Sequence, residues 1–460
     1  MENYNMEMFT ESIRALLEVR DFKALKVLLN EADEYEILYA INEFASEEQV
    51  IVYRLLSKDK ALFIFEELET TDQQKLLESF TEARAAEMME ELAPDVRVRL
   101  LEEMPATVVK RIIASLSPQE RSATNILMGY EAETAGRVMT TEYITLGESM
   151  TVAESMERIR RSAKEMETIY NLYIINKARV LEGVISLRDL VLAEPEDSVS
   201  SLMHKAIHVT TDTDQEEVAR TLQRFDLLAV PVVDKEERMV GIITVDDAMD
   251  ILEEEQTEDV FKTAGIADVA GIEGNRSETL VMGSLGKIWA LRLPFLILTL
   301  IGGMLAGLVI DRFEEVLEAV VVVAVFIPII MDMGGSIGTQ SASVYTRGIV
   351  LGHIDINNMG KHFLKELLVG FSLGSFVGII TGFFANWLYS IPELGLAVGI
   401  AVAFTSTLAS LLGFLIPYIL MKFNIDQTTG TGPLITTIKD LTGLVVYFSA
   451  ASLLLGHLLY

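Results

Sequence analysis

The sequence predicts a multi-domain protein: an α-helical solenoid, an α/β tandem pair of repeats, and an all-α membrane domain of five transmembrane helices. Three observations lead to this prediction. Charge is divided unevenly, since only 7 of the 37 basic and 10 of the 68 acidic residues lie beyond residue 287. Two internal repeats occupy the acidic part, and five long apolar segments occupy the remainder. The predicted divisions are a helical domain at 1–130, the α/β pair at 131–254, an acidic linking helix at 255–287 and the membrane domain at 288–460.

The first predicted domain repeats itself every 24 residues. Four large apolar residues keep this spacing: Phe44, Leu68, Leu92 and Leu116. A polar or proline-containing corner follows each of them, and then another apolar pair, which is typical of short helices stacked into a solenoid. Asp72 and Asp95 fall at helix starts in this pattern, where we expect N-capping in preference to ion binding.

The second predicted domain contains another repeat, in which residues 172–191 match residues 230–249. Each copy predicts a strand, a turn, a strand and a helix. The pattern Gly-x-x-Ser/Thr-x-x-Asp occurs at 183–189 and at 241–247, and the pair resembles tandem CBS domains. The resemblance implies that ATP is a candidate regulatory ligand, held at Tyr170, Ser186, Arg188 and Asp189, with Thr244 and Asp247 as the pair in the second copy. Capping of the following helix by the same side chains is the open alternative.

The predicted linking helix begins in an acidic run. Eight acidic residues crowd into 246–259, and no basic residue follows them before Lys262. Ala248, Ile251 and Leu252 keep helical spacing, so we expect a helix with one packed stripe and a wide anionic surface. Repulsion of this density requires counter-cations or a basic partner.

Five apolar segments are long enough to cross a bilayer, which takes about 20 helical residues. They are 293–310, 319–346, 367–392, 394–421 and 441–460. Basic residues collect at alternate ends of these segments: Lys287 and Arg292, then Arg347, Lys361 and Lys365, then Lys422 and Lys439. The positive-inside bias therefore predicts a multi-pass protein of the cell membrane, with cytoplasmic N-terminal domains and the C-terminus outside.

Polar, glycine-rich stretches occur within the second predicted span, at 331–343, and immediately before the fifth, at 426–443. Glycine permits close backbone approach and local unwinding, and a membrane tolerates such stretches only around a water-filled cavity or between packed helices. Asp332 and Asp440 are the carboxylates we assign to the spans, with Glu318 near the outer end. We expect Asp440 to line a pore, whereas Asp332 is equally well explained as a structural partner.

Taken together, the chain resembles the MgtE family of bacterial magnesium channels and transporters. The motifs that carry the resemblance include 130–143, 244–268, 334–342 and 433–443. It implies a homodimer in the lipid bilayer with a Mg²⁺ pore on its two-fold axis, Asp440 as the pore carboxylate, and closure by cytosolic Mg²⁺. The cation ligands that it implies are Asp95, Glu216, Asp226, Asp247, Asp250, Glu255, Glu258, Asp259, Asp426 and Asp440.

Two positions depart from the family pattern. The family usually has Asn at the position of Ser336, and commonly has Asn at the position of Gly432. Asn can orient the waters of a hydrated ion, so its absence predicts a wider mouth and weaker discrimination among divalent cations. Transport of Co²⁺ and Mn²⁺ beside Mg²⁺ is therefore open.

Other functional classes are disfavoured. The acidic soluble half argues against nucleic acid as a partner. No cysteine is present, which excludes thiolate metal sites and cysteine nucleophiles, and no Gly-x-x-x-x-Gly-Lys-Ser/Thr phosphate loop is present, which weighs against a transporter that hydrolyses ATP. We expect no enzyme. His204 and His208 are four residues apart and could bind zinc from one helix face, which is a minor alternative. The main alternative is a CBS-gated transporter of another ion or of an osmolyte.

Overall fold

The computed structural model describes residues 2–68, 70–80, 82–102, 104, 106–164, 166–267, 279–281, 283–350, 353–354, 358–423 and 425–456. The chain divides into two compact units, residues 1–253 and 254–460. The division falls within one continuous helix, Val245–Thr263.

The first part of unit 1 is entirely helical in its described residues. Its helices are α1 (Glu2–Glu18), α2 (Phe22–Glu31), α3 (Glu34–Asn42), α4 (Ser46–Leu55), α5 (Lys58–Glu66), α6 (Thr70–Ser79), α7 (Glu82–Glu91), α8 (Pro94–Glu102), α9 (Ala106–Ser115) and α10 (Pro118–Leu127). The predicted solenoid is confirmed, and each 24-residue repeat is one pair of helices. The four apolar markers each follow the end of an odd-numbered helix within two residues, and all four are buried in one core.

A second signal, which the sequence analysis missed, recurs at the same period. Gln49, Gln73 and Arg97 are 24 residues apart, each in the second helix of its pair. Their side chains donate to the backbone carbonyls eight residues earlier, those of Ile41, Phe65 and Met89. These carbonyls belong to the last turns of α3, α5 and α7, where no intrahelical donor follows. The repeat therefore conserves a polar contact as well as an apolar one.

The second part of unit 1 contains two similar α/β halves. The first half comprises α11 (Ala135–Val138), β1 (Thr145–Gly147), α12 (Val152–Ser162), β2 (Asn171–Ile175), β3 (Leu181–Ser186) and α13 (Leu187–Leu192). The second comprises α14 (Val199–Leu202), β4 (Val209–Thr210), α15 (Gln215–Phe225), β5 (Ala229–Val233), β6 (Met239–Thr244) and α16 (Val245–Thr263). Each sheet has three strands in sequence order, with a parallel first pair and an antiparallel second pair. The predicted repeat of strand, turn, strand and helix is confirmed.

Two details of this region test earlier expectations. Ala248 and Ile251 are buried and Leu252 packs beside them, so the predicted apolar stripe of α16 is confirmed. The zinc alternative is wrong in its premise, because His204 forms a β-bridge with Val184 and the chain from it to His208 is not helical.

Unit 2 contains five helices that are long and apolar enough to cross a membrane, counted over its described residues. These five are α17 (Leu285–Arg312), α19 (Ile327–Val350), α20 (Met359–Tyr389), α21 (Pro392–Lys422) and α22 (Thr431–Leu455). A short helix, α18 (Glu314–Ala319), and a 3-10 turn at Val321–Phe326 connect α17 to α19. The five predicted spans are thus found, although α22 begins ten residues before the predicted 441, and the predicted end at 460 lies outside the described residues.

Of the two properties that glycine could give these stretches, close backbone approach and local unwinding, the structure shows close approach within continuous helix. Residues 331–343 lie within the continuous helix α19, and residues 431–443 lie within α22. The glycines serve close packing. A Cβ added at Gly338 would lie 2.7 Å from the Ile435 side chain, and one at Gly378 would lie 2.5 Å from the Gly399 carbonyl oxygen. Small residues of this kind let membrane helices approach each other closely.

Candidate ion path and cation sites

A polar stripe runs along one face of α19. Its members are Asp332, Ser336, Thr339, Gln340 and Ser343, and all are exposed in the single chain. Separations of four, three, one and three residues bring them to the same side of a helix. Thr436 and Lys439 of α22 face them, and together these residues line a groove of about 850 Å³.

This groove is the candidate ion path of unit 2. Exposed hydroxyls, an amide and a carboxylate are unfavourable against lipid, and a spanning helix carries them only toward water or protein. The predicted role of Ser336 at a polar surface is consistent with this position. Asp332 also faces the groove, which favours the functional over the structural interpretation of that carboxylate.

Asp440 lies four residues after Thr436, and so one turn further along the same face of α22. It is not among the residues that line the groove, and its side chain is 17% exposed. The Lys439 ammonium lies 2.6 Å from Asp440 Oδ1 and also donates to the Met331 carbonyl of α19. Asp440 is therefore paired with a lysine, and we call this pair, Lys439 and Asp440, the collar.

A third intramembrane carboxylate was missed from the sequence. Glu366 of α20 accepts hydrogen bonds through Oε1 from Ser341 Oγ at 2.5 Å and from Ser410 Oγ at 2.6 Å. The three residues come from three helices and connect α19, α20 and α21. Nothing in the sequence pairs positions so far apart, although isolated serines in apolar helices are a weak sign of interhelical hydrogen bonds.

The end of α16 docks onto the turn between α21 and α22. Lys262 Nζ lies 2.6 Å from Glu258 Oε1 and 2.6 Å from Asp426 Oδ2. The Thr428 backbone N–H and hydroxyl also donate to Asp426, at 2.8 and 2.7 Å. Burial alone would raise the pKa of Asp426, but the bonds from Lys262 and Thr428 outweigh it and hold the pKa below its usual value. Two predicted cation ligands, Glu258 and Asp426, are thus bridged by a lysine.

Gly432 marks another contact of the same segment. The Gly430 N–H donates to the Lys262 carbonyl at 2.9 Å, and a Cβ on Gly432 would lie 2.7 Å from the Thr263 carbonyl oxygen. The wider mouth predicted at Gly432 is not found in this docked arrangement, since the backbone after Lys262 fills the space that a side chain would take.

In unit 1, Asp95 lies among other acidic side chains. It is the second residue of α8, after Pro94, so it does not cap the helix as predicted. The same prediction is wrong for Asp72, which is the third residue of α6 and pairs with Lys75. Asp95 is buried, and its Oδ1 accepts no hydrogen bond from any described residue. Burial, and then the negative charges of Asp247 and Glu167, raise the pKa of Asp95 well above its usual value.

The acidic cluster contains residues that the sequence analysis did not single out. Burial and neighbouring carboxylates raise the pKa of Glu66 to about 7 and that of Glu167 to about 7, and Glu142 contributes to both shifts. Only the fold brings these residues to Asp95 and Asp247. No three carboxylates or histidines of the described residues are close enough to enclose one metal ion. Mg²⁺ is usually held by one or two carboxylates with retained waters, so an orphaned buried oxygen in an anionic cluster suits a hydrated cation.

The other predicted cation ligands in unit 1 lie apart or are already paired. Asp250 is exposed and lies 3.5 Å from Arg99. Glu216, in the first turn of α15, forms an ion pair with Arg220. Asp226 ends α15 in the left-handed conformation with φ 52° and is exposed. Glu255 and Asp259, on the later half of α16, belong to unit 2 and are half-buried.

The four predicted nucleotide positions meet at one end of the first sheet. Ser186 ends β3, opposite Asn171, and the residue after it donates to the Tyr170 carbonyl. Ser186 Oγ accepts from the Asp189 N–H and donates to the Asp189 carboxylate, so the capping alternative is observed here. Thr244 likewise donates to Asp247 at 2.6 Å. Tyr170 and Arg188 remain exposed beside this cap, where a nucleotide could contact them.

The raised pKa values predict how acid affects the stability of residues 1–262. A carboxyl group whose folded pKa is raised stabilises the fold fully below its unfolded pKa, near 4, and this contribution is lost as the pH rises through about 7. Without divalent cations, the thermal midpoint of unfolding should therefore rise by at least a few degrees when the pH is lowered from 8 to 6. Saturating Mg²⁺ at pH 8 should remove most of this difference, because it offsets the same repulsion.

Differential scanning fluorimetry measures both effects. The variant Asp95→Asn/Asp247→Asn should show a flatter pH profile, and Glu236→Gln/Glu237→Gln, at an exposed turn, serves as its control. A thermal midpoint that falls as the pH is lowered from 8 to 6 would contradict the raised pKa values of these carboxyl groups.

Comparison with known proteins identifies relatives over nearly the whole chain. Residues 327–450 match a family model described as a divalent cation transporter. Residues 32–133 match the MgtE intracellular N domain, and residues 135–196 and 199–254 match the CBS domain.

Two curated relatives and two solved structures extend these matches. The magnesium transporter MgtE of Thermus thermophilus is 35% identical over 458 residues, which cover 98% of this chain and 99% of the relative. The magnesium transporter MgtE of Bacillus subtilis is 31% identical, with 94% of each chain covered. The cytosolic domain of the Mg²⁺ channel MgtE in complex with ATP is 36% identical with a TM-score of 0.50, and the match covers 53% of this chain and 99% of that one. The soluble part of a magnesium transporter is 30% identical with a TM-score of 0.50, over 54% of this chain and 99% of that one.

Proposed function

Because the chain belongs to the MgtE family of magnesium transporters, we propose that two copies form a Mg²⁺ channel that cytosolic Mg²⁺ closes. The observation that carries this proposal is the exposed polar stripe of α19 inside a membrane-spanning helix. A single chain would present that stripe to lipid. A second copy, facing the first across a two-fold axis, would enclose two stripes around water.

The chemistry of the groove suits a hydrated divalent cation. Mg²⁺ dehydrates reluctantly and prefers oxygen ligands, often through retained waters. Hydroxyls and amides of Ser336, Thr339 and Gln340 can accept hydrogen bonds from such waters without holding the metal itself. Asp332 supplies negative charge that favours divalent over monovalent cations, and Asp440 adds a carboxylate whose charge is offset by Lys439.

Two acidic regions, one in each unit, support the proposed closure of the channel by cytosolic Mg²⁺. In unit 1, cations would offset the repulsion among Asp95, Asp247 and their neighbours. In unit 2, the acidic later half of α16 ends in the docked segment beside Gly432. Ions that favour this arrangement over an undocked one shift the channel toward the closed state, and several weak sites acting on one equilibrium give a steep response.

Mg²⁺ entry into liposomes tests the proposed transport directly. Purified protein should carry Mg²⁺ down its gradient into liposomes that contain a Mg²⁺-sensitive dye, and empty liposomes should not. Competition by Co²⁺ and Mn²⁺ would extend the substrate range to these cations. A protein that folds and inserts but carries no Mg²⁺, while it carries an osmolyte such as choline, would favour the alternative transporter.

The orientation in the membrane rests on the basic residues at the ends of the spans. Single cysteines at Glu315 and Glu393 should react with an impermeant thiol reagent added to intact cells, whereas a cysteine at Lys361 should react only after lysis. The absence of native cysteine makes the unsubstituted chain a clean control. Labelling of the Lys361 variant in intact cells would refute cytoplasmic N-terminal domains with five spans.

ATP is proposed as a regulatory ligand of unit 1. The solved relative that contains ATP and the exposed Tyr170 and Arg188 beside the Ser186 cap support this assignment. Calorimetry on residues 1–262 should show heat on addition of ATP, and Tyr170→Ala/Arg188→Ala should remove it. Heat that persists unchanged in this variant would place ATP elsewhere.

A further inference from the structure

We propose that Lys439 sets the Mg²⁺ affinity of the ion path, because it offsets the charge of Asp440 and fixes its carboxylate so that Mg²⁺ passes without being trapped. This inference rests on the proposed role of Asp440 in the pore and names a second residue for it. The observation that carries it is a buried lysine whose ammonium bridges the carboxylate on α22 and the backbone of α19.

The position of the Lys439 ammonium is tightly defined. The side chain is 3% exposed, and Nζ contacts Asp440 Oδ1 at 2.6 Å and the Met331 carbonyl. Two glycines of α19 make room for it. A Cβ on Gly334 would lie 3.1 Å from Lys439 Cδ, and one on Gly335 would lie 3.2 Å from Nζ. Glycines therefore occupy the positions on α19 that the Lys439 side chain contacts as it extends from α22.

This geometry has two consequences for a passing cation. The first concerns charge, because a carboxylate beside an ammonium attracts a divalent ion less strongly than a carboxylate alone. In a homodimer the two collars would then be close to neutral, and the attraction would come from Asp332 and from oriented dipoles. The second concerns the orientation of the carboxylate: Lys439 contacts Oδ1 of Asp440, so Oδ2 is the oxygen left for a hydrated ion.

Conduction requires binding that is favourable enough for entry and weak enough for release. Two unpaired carboxylates facing each other across a pore would bind Mg²⁺ tightly and slow its exit. A lysine that occupies part of each carboxylate weakens this binding. A purely structural lysine, which only joins α22 to α19, would leave the apparent affinity for Mg²⁺ unchanged.

The test separates affinity from maximal rate in liposome flux. Lys439→Gln keeps a hydrogen-bond donor for the Met331 carbonyl and removes the charge, and Lys439→Met removes both. We expect Lys439→Gln to lower the Mg²⁺ concentration for half-maximal flux at least tenfold and to lower the maximal rate. Lys422→Gln, at the exposed end of α21, is the charge-matched control and should stay close to wild type.

The further variant Lys439→Gln/Asp440→Asn should lose the gain in apparent affinity, since the unpaired carboxylate is gone. If Lys439→Met does not fold, Lys439→Gln alone decides the question. A Lys439→Gln protein that assembles and conducts with wild-type affinity and rate would overturn the inference while the proposed function stands. Wild-type protein that carries no Mg²⁺ would refute the proposed function and this inference with it.

Discussion

Asp440→Ala is expected to lower Mg²⁺ flux by at least about a hundredfold, because it gives a nearly neutral collar a net positive charge. The substitution removes the carboxylate and leaves the Lys439 ammonium in place. Two unpaired ammonium groups would then face the path of a dication. The variant should also unfold at a lower temperature than wild type, because breaking a buried ion pair by removing one partner costs about 3–5 kcal/mol.

Flux in liposomes and size-exclusion chromatography of the same preparation measure the two effects. Asp440→Asn keeps the shape and should also lose flux, whereas Glu318→Ala, on the exposed short helix α18, should not. Lys439→Met/Asp440→Asn restores a neutral collar and should recover part of the flux. Flux near the wild-type rate from a correctly assembled Asp440→Ala protein would refute the pore assignment.

The second large effect is expected from the variant Glu255→Gln/Glu258→Gln/Asp259→Asn on the later half of α16. It removes the carboxylates that cytosolic Mg²⁺ would bind, and it removes one of the two partners of Lys262. Mg²⁺ would then have little preference for the closed state, so flux at high cytosolic Mg²⁺ should stay within about twofold of flux at low Mg²⁺. Wild type should be strongly inhibited under the same conditions.

Vesicles loaded with different Mg²⁺ concentrations provide the measurement, and protease protection of α16 by Mg²⁺ provides an independent readout. The control variant Glu314→Gln/Glu315→Gln/Glu318→Gln removes the same number of charges from α18. Undiminished inhibition and protection in the α16 variant would place the sensor elsewhere, with the cluster around Asp95 and Asp247 as the next candidate.

Much of the fold was predictable because its determinants are periodic. The 24-residue markers, the α/β repeat and the apolar spans each reflect one local rule applied several times. The boundaries were less predictable. Residues 431–440 contain glycine, proline, threonine and Asp440, and they were excluded from a span, yet neighbouring helices allow them to continue α22.

Individual carboxylates of the candidate ion path and cation sites could be predicted from the sequence, but the lysines that pair with them could not. Asp440 and Asp426 were both found, but their lysine partners were not. Adjacent side chains on a helix point about 100° apart, so the contact between Lys439 and Asp440 depends on how the long lysine folds back toward Met331. Lys262 and Asp426 are 164 residues apart, and only the folded chain brings them together.

Asp95 and Gly432 illustrate the same limit. Asp95 stands at the start of α8, where capping is common, but Pro94 occupies the first helical position and the carboxylate turns into the acidic cluster. Gly432 lacks a side chain, and that absence predicted open space. The Thr263 carbonyl of the docked segment occupies it instead.

The central claim is that the polar stripe of α19 lines a water-filled path between two copies. Its most direct test is a single cysteine at Ser336, in a chain that has no other cysteine. During Mg²⁺ flux in liposomes, a positively charged water-soluble thiol reagent should modify this cysteine and block the flux, and mild oxidation should crosslink two copies. A cysteine at Leu308, on an exposed apolar position of α17, should do neither. Unmodified Ser336→Cys protein with undiminished Mg²⁺ flux would contradict the account.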